Sequence, residues 1–203
     1  MTGHGLTDEQ REWAAKSEVH GPTFAAPAAD RIRLVLFGAV PVAAALCRTA
    51  RAIDWVPYVV DPRARFAGPD RFADAEEILT MWPREAFARL GGLDAATAVA
   101  ALTHAPELDD AALTIALRSP AFYVGAMGSR RTQGRRRERL TAAGLTAAEL
   151  GRLSGPAGLD LGGSTTAEAA LAILAEAVAA LHGRDGARLT TSENAIHASE
   201  RPA

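Results

Sequence analysis

The stretch Arg31–Arg63, "RIRLVLFGAVPVAAALCRTARAIDWVPYVVDPR", decides the fold. Ile32 to Phe37 is a short, mostly apolar run that stops at Gly38, as a strand buried on both faces does. Pro41 suits a first helical turn, and Val42, Leu46 and Ile53 can share one face of the helix it opens. "VPYVVDPR" reads as a second strand ending at Asp61, with Pro57 tolerable only at a strand end or edge. Strand, helix and strand within about thirty residues form a parallel crossover unit.

The alternation continues. Residues 62–80 are loop-rich, with a short strand near Glu77–Leu79. "PREAFARLG" is a helix, "TAVAALTH" a strand, and "PELDDAALTIALRS" a helix whose early acids favour its dipole. "AFYVGAMG" is the next strand, followed by an arginine-rich helix ending near Gly144 and a further short helix, "TAAELGRLS". After the glycine-rich loop "GPAGLDLGG" comes the longest helix. Thr165 and Glu168 form its capping box, and Leu171, Leu174, Val178 and Leu181 its expected apolar stripe. The expected class is α/β: a three-layer, Rossmann-like parallel sheet with helices on both faces, over residues 31–185. Residues 1–30 read as an extension and linker, with a short helix capped by Thr7 and Gln10, and 186–203 as a flexible tail.

Composition sets the broad limits. The chain has 203 residues, 48% hydrophobic and 23% charged, with a net charge of -2. Lys is nearly absent, so Arg carries the positive charge. Six arginines between Phe122 and Leu140 are therefore a local feature on a mildly acidic background, which argues against nucleic acid as a partner. A single cysteine, Cys47, forms no disulfide framework, fits a reducing compartment and reads as a small core side chain. No basic start with an apolar run marks a signal peptide, and no apolar run is long enough to span a membrane, so a cytoplasmic protein is expected. The acids and histidines lack metal-ligand spacing, and no serine elbow is present.

In a parallel sheet, ligands sit at the carboxyl ends of the strands. The turns after Phe37, Val60, Leu102 and Val124 should therefore open on one edge. The first, "GAVPVA", half matches the dinucleotide fingerprint G-x-G-x-x-G/A. Gly38 and Ala43 fit, but Val40 stands where a glycine lets pyrophosphate approach, and Pro41 removes an amide donor. Asp61 lies where an acid binds a ribose hydroxyl. Gly38 could equally serve only the turn, and Asp61 only cap a loop. In "GAMGSRR", Gly125 and Gly128 flank the strand end, and Ser129 is placed to cap the next helix. With Arg130 and Arg131 it suits an anion. The later arginines, from Arg135 to Arg139, read as a solvated helix face. His104 can meet a ligand or close a loop, and Asp160 can bind a donor-rich heterocycle or stabilise its own loop.

The blocks "LTHAPELDDAALTIALRSPAFYVGAMGSRRTQGRRRERLTAAGL" and "GPAGLDLGGSTTAEAALAILAEAVA" closely resemble the C-terminal Rossmann domain of the xanthine dehydrogenase accessory factor (XdhC/CoxI) family. "FGAVPVAAALCRTARAIDWVPYVVDPR" resembles the opening unit of that domain. The likeness runs from about Arg33 to Gly183. It implies a chaperone more than an enzyme. Such proteins bind molybdenum cofactor (molybdopterin) as cargo, support its sulfuration by a cysteine desulfurase, and deliver it to a client molybdenum hydroxylase of the xanthine or carbon monoxide dehydrogenase type. The chain departs from the family at Val40-Pro41, where Gly-His is usual, and at Ala105, where an acid follows the histidine. Many family members carry a separate N-terminal domain with a cysteine motif, where a short helix and linker are expected here; a single-domain member and one whose other half comes from another protein both fit this reading. The competing reading is an NAD(P)-binding oxidoreductase on the same fold, weakened by Val40. A homodimer is compatible with either reading.

Overall fold

The computed structural model describes residues 31–193, so the expected helix near Thr7 and the end of the expected tail lie outside the described residues. The chain starts with strand β1 (Arg33–Phe37), helix α1 (Pro41–Arg51) and strand β2 (Val56–Val60). Two 3-10 turns, Ala64–Phe66 and Pro69–Arg71, lead to β3 (Glu77–Leu79) and α2 (Pro83–Arg89). Then come β4 (Thr97–Ala101), α3 (Pro106–Leu117), β5 (Tyr123–Ala126) and α4 (Arg130–Ala142). Helix α5 (Ala147–Gly151), β6 (Leu153–Ser154) and α6 (Thr166–Leu181) complete the unit.

All neighbouring strands pair in parallel, in the order β3-β2-β1-β4-β5-β6. This is the doubly wound Rossmann order, and it reverses between β1 and β4. The period of two along β1 sorts its side chains between two cores. Leu34 and Leu36 pack with α1 and α6, whereas Val35 and Phe37 pack with α2, α3, α4 and α5. Phe37 meets Phe87 of α2 edge-on, ring centroids 5.1 Å apart.

The capping signals act as read. Ser129 Oγ accepts from the Thr132 amide, and Thr165 and Glu168 close a reciprocal box at the start of α6. Three expectations are corrected. Leu171 is 51% exposed, and the buried stripe of α6 is Ala170, Ile173, Leu174 and Ala177. Small residues at 170 and 177 let α6 lie against alanine-rich α1, which rotates the leucine outward. Ile173 and Leu174, at most 3% exposed, each contribute about 1.5–3 kcal/mol relative to exposure. Ile53 lies beyond the end of α1 and is 40% exposed. Leu153–Ser154, read as part of a helix, is instead a short edge strand paired with β5.

Gly125 has a packing role. Tyr123 lies two residues back on the same face, and its ring runs over Gly125 to donate from Oη to Glu176 Oε2 at 2.6 Å. A Cβ at residue 125 would meet the Tyr123 hydroxyl inside contact distance. Gly125→Ala should therefore cost about 1–3 kcal/mol. Gly134→Ala, on the open side of α4, should stabilise by up to about 1 kcal/mol. Urea unfolding of the two variants against wild type checks both signs.

Candidate functional site

The first turn is drawn against the fourth strand's exit. Gly38 has φ +116°, and a Cβ there would stand 2.5 Å from Thr103 Cγ2, so both conformation and space require glycine. The Gly38 amide donates to the Val60 carbonyl (2.8 Å), and the Ala39 amide to Asp61 Oδ2 (2.9 Å). Asp61 is fully buried. Its Oδ1 also accepts from the Arg63 amide (3.0 Å) and Nε (2.8 Å), and its Oδ2 from Arg63 Nη2 (2.8 Å). Burial pushes this carboxyl up, but the hydrogen bonds from the Arg63 side chain and from the Ala39 and Arg63 amides outweigh it and hold the group below the usual carboxylate range. The same contact raises Arg63. Asp61 thus clamps the β1 turn to the loop after β2.

The amide supply at the start of α1 is thin. The Ala39 amide is engaged by Asp61, Pro41 has none, and Ala43 and Ala44 both donate back to the Val40 carbonyl. Beside this turn lies a cleft of about 430 Å³, lined among others by Val40, Pro41, Arg63, Phe66, Arg71 and His104. No acid lines it. The guanidinium carbons of Arg63 and Arg65 each stand 4.7 Å from the Phe66 ring centroid, within cation–π range. Arg71 and His104 are exposed. Arg63, Phe66 and Arg71 escape a reading of the sequence because their 3-10 turns carry no periodicity. The available signal is three arginines and two phenylalanines within "RARFAGPDRF", directly after β2.

Behind His104 runs a buried polar chain. Thr103 Oγ1 accepts from the Ala105 amide (3.0 Å) and donates to Asp109 Oδ1 (2.7 Å). Asp109 Oδ2 accepts from Arg136 Nη2 (3.0 Å). Arg136 Nη1 donates to Gln133 Oε1 (2.6 Å) and to the Met127 carbonyl (3.1 Å), and Gln133 Nε2 donates to the Ala126 carbonyl (2.8 Å). Burial pushes the Asp109 carboxyl up, against the pull of Thr103 and Arg136. The expectation that the later arginines form a solvated face is therefore corrected. Arg136 is 2% exposed, Arg137 donates to the Leu150 and Leu153 carbonyls, and Arg139 pairs with Asp110. Acids on α3 and carbonyls near β6 draw them in, and Arg135 stays exposed.

Every sequence candidate except His104 lies outside the cleft lining. Gly128 (φ +129°) leads into the Ser129 cap, and Arg130 and Arg131 are exposed at the start of α4. Asp160 is exposed on the glycine-rich loop, which is held where the Gly158 amide donates to Glu176 Oε2 (2.8 Å). Of the sequence candidates, His104 lines the cleft, Gly38 and Asp61 hold the turn beside it without lining it, and Gly125, Gly128, Ser129, Arg130, Arg131 and Asp160 lie elsewhere. Cys47 is fully buried in the core, and burial pushes its thiol up to about 12. Among the described residues, no group of three His, Cys, Asp or Glu is placed to hold a metal ion. No helix among them is long and apolar enough to cross a membrane.

The family model of the XdhC Rossmann domain matches residues 34–177. The chain belongs to the XdhC family. No curated protein matches it. Among solved structures, this XdhC domain is similar to a xanthine dehydrogenase from Bacillus halodurans, at 24% identity and a TM-score of 0.65. The match covers 95% of this chain and 55% of that one, so the chain spans about half the length of that structure. It is also similar, at 16% identity and a TM-score of 0.45, to the GsuK RCK domain, over 71% of this chain and 30% of the other.

Two outcomes follow for this XdhC domain. Arg136→Met leaves the Asp109 carboxylate buried without its counter-ion and should cost about 3–5 kcal/mol in urea unfolding. Adding Asp109→Asn should recover part of that loss. The Asp61 carboxyl titrates below its unfolded value of about 3.9, so its stabilisation is complete above that pH and is lost as pH falls through the folded value. Asp61→Asn should be less stable at neutral pH and show a shallower acid decline, read from urea midpoints between about pH 6 and about pH 2.

Proposed function

We propose that this XdhC-family chain is an accessory protein that carries molybdenum cofactor for a molybdenum hydroxylase of the xanthine or carbon monoxide dehydrogenase type. Sulfuration of the cargo by a cysteine desulfurase belongs to the same reading. The observation that carries it is the cleft where the strand order reverses, which is lined by two arginines, by no acid among the described residues, and by the aromatic ring of Phe66. Its donors suit a planar heterocycle bearing an anionic group. Phe66, Val40 and Pro41 offer apolar contact to the ring system, the arginines attract the anion, and His104 supplies a hydrogen bond.

The second reading, an NAD(P)-dependent oxidoreductase, draws support from the strand order and from an acid at the end of β2. Against it stand the blocked turn at Val40-Pro41 and an Asp61 whose oxygens are already engaged.

The deciding experiment purifies the chain from a host that makes molybdenum cofactor, denatures and oxidises it, and quantifies pterin fluorescence and molybdenum. A roughly stoichiometric signal is expected. No signal, together with a thermal shift on adding NAD or NADP, would replace the carrier reading with the oxidoreductase one. His104→Ala should weaken binding of the oxidised pterin about tenfold while changing the affinity for inorganic phosphate little, as isothermal titration would show.

A further inference from the structure

The end of β2 is where a Rossmann site chooses between a ribose diol, taken by an acid, and a phosphate on the sugar, taken by an arginine. Here the acid is withdrawn. Asp61 is fully buried, and its two oxygens accept from the Ala39 amide, the Arg63 amide, and Arg63 Nε and Nη2. Among the described residues, no carboxylate lines the cleft to meet a diol. The same contacts fix the Arg63 fork and leave Nη1 as its remaining nitrogen, at a cleft that Arg71 also lines. Arg63 is held by Asp61 on one side and by the Phe66 ring on the other, so it loses little freedom when it meets an anion. Arg71 is exposed, stacks loosely on Phe72 at 5.9 Å, and pairs with no acid among the described residues.

We propose that Arg63 and Arg71 form a phosphomonoester subsite at the β2 end of the cleft, with Phe66, Val40 and Pro41 as the apolar wall for the ring system that carries the phosphate. The subsite names the group by which the cargo of the preceding section is gripped, and it rests on that reading for the pterin alone. A pterin phosphate and a 2′-phosphorylated dinucleotide share the recognised chemistry. A cleft of about 430 Å³ is sized for such small molecules. The assignment places the phosphate at the loop after β2, not at the start of α4, where Arg130 and Arg131 lie outside the cleft lining.

The test titrates the full chain with the oxidised pterin released from molybdenum cofactor, in its phosphorylated form and after alkaline phosphatase, and with NADP against NAD. The variants are Arg71→Ala, whose side chain is exposed, and Arg130→Ala with Arg131→Ala, each checked for an unchanged urea midpoint. Wild type should bind the phosphorylated pterin about 10–100-fold more tightly than the dephosphorylated one. Arg71→Ala should remove most of that gap without changing the affinity of the dephosphorylated form, and the double variant should keep it. Equal affinity of wild type for the two pterins overturns the subsite while the carrier reading stands. A gap that survives Arg71→Ala overturns it as well, and its collapse in the double variant would move the phosphate to the start of α4. If neither pterin binds, the dinucleotides decide. An Arg71-dependent preference for NADP over NAD upholds the subsite and rejects the carrier reading, and no preference rejects both.

Discussion

The ion pair between Asp109 and Arg136 is the contact on which the functional edge depends. Both side chains are nearly inaccessible to water, at 1% and 3% exposure. Two charges removed from water are tolerated only when their hydrogen-bonding capacity is met. Thr103, Gln133 and the Met127 carbonyl meet most of it, and Arg136 Nε is the buried side-chain atom left without a partner among the described residues. One guanidinium thereby ties α3 to α4 and fixes the chain as it leaves β5. Through Asp109 it also orients Thr103, against whose methyl group Gly38 closes. The cleft has its shape because a charge pair behind it holds the β4 exit in place.

The elements that were legible in the sequence are those with periodicity or end signals. β1 and β2 read as apolar runs, the helices as Pro-initiated or Ser- and Thr-capped segments, and their alternation as a parallel sheet. What escaped depends on partners distant in sequence. Arg136 has the same local context as Arg135, and only the acid on α3, twenty-seven residues away, buries one and not the other. Leu171 is more apolar than Ala170, yet the close approach of α1 selects the alanine. Gly125 resembles a ligand-binding glycine and serves a tyrosine ring. Of the cleft, His104 and the adjoining turn held by Gly38 and Asp61 could be placed by topology, while Arg63, Phe66 and Arg71 lie on or beside turns too short to have a pattern.

The likeness to the Bacillus halodurans structure, at 24% identity, is a likeness of fold. Fold alone does not carry function, which lives in the side chains set upon it. In this chain the usual anion-binding device of the fold, free amides at the first helix start, is reduced, and side-chain donors from the next loop face the same space. That exchange replaces a fixed main-chain cradle with groups that substitution can tune one at a time.

β1 is hydrogen-bonded on one side to β2 and on the other to β4. Synthesis runs from the amino end, so β2 can join β1 early, together with α1. The other margin of β1 has no partner until Thr97–Ala101 has been made, roughly sixty residues later. For that interval the nascent chain presents an apolar strand with unpaired main-chain groups, a template for intermolecular pairing. The finished sheet hides this margin, because β1 then lies between β2 and β4.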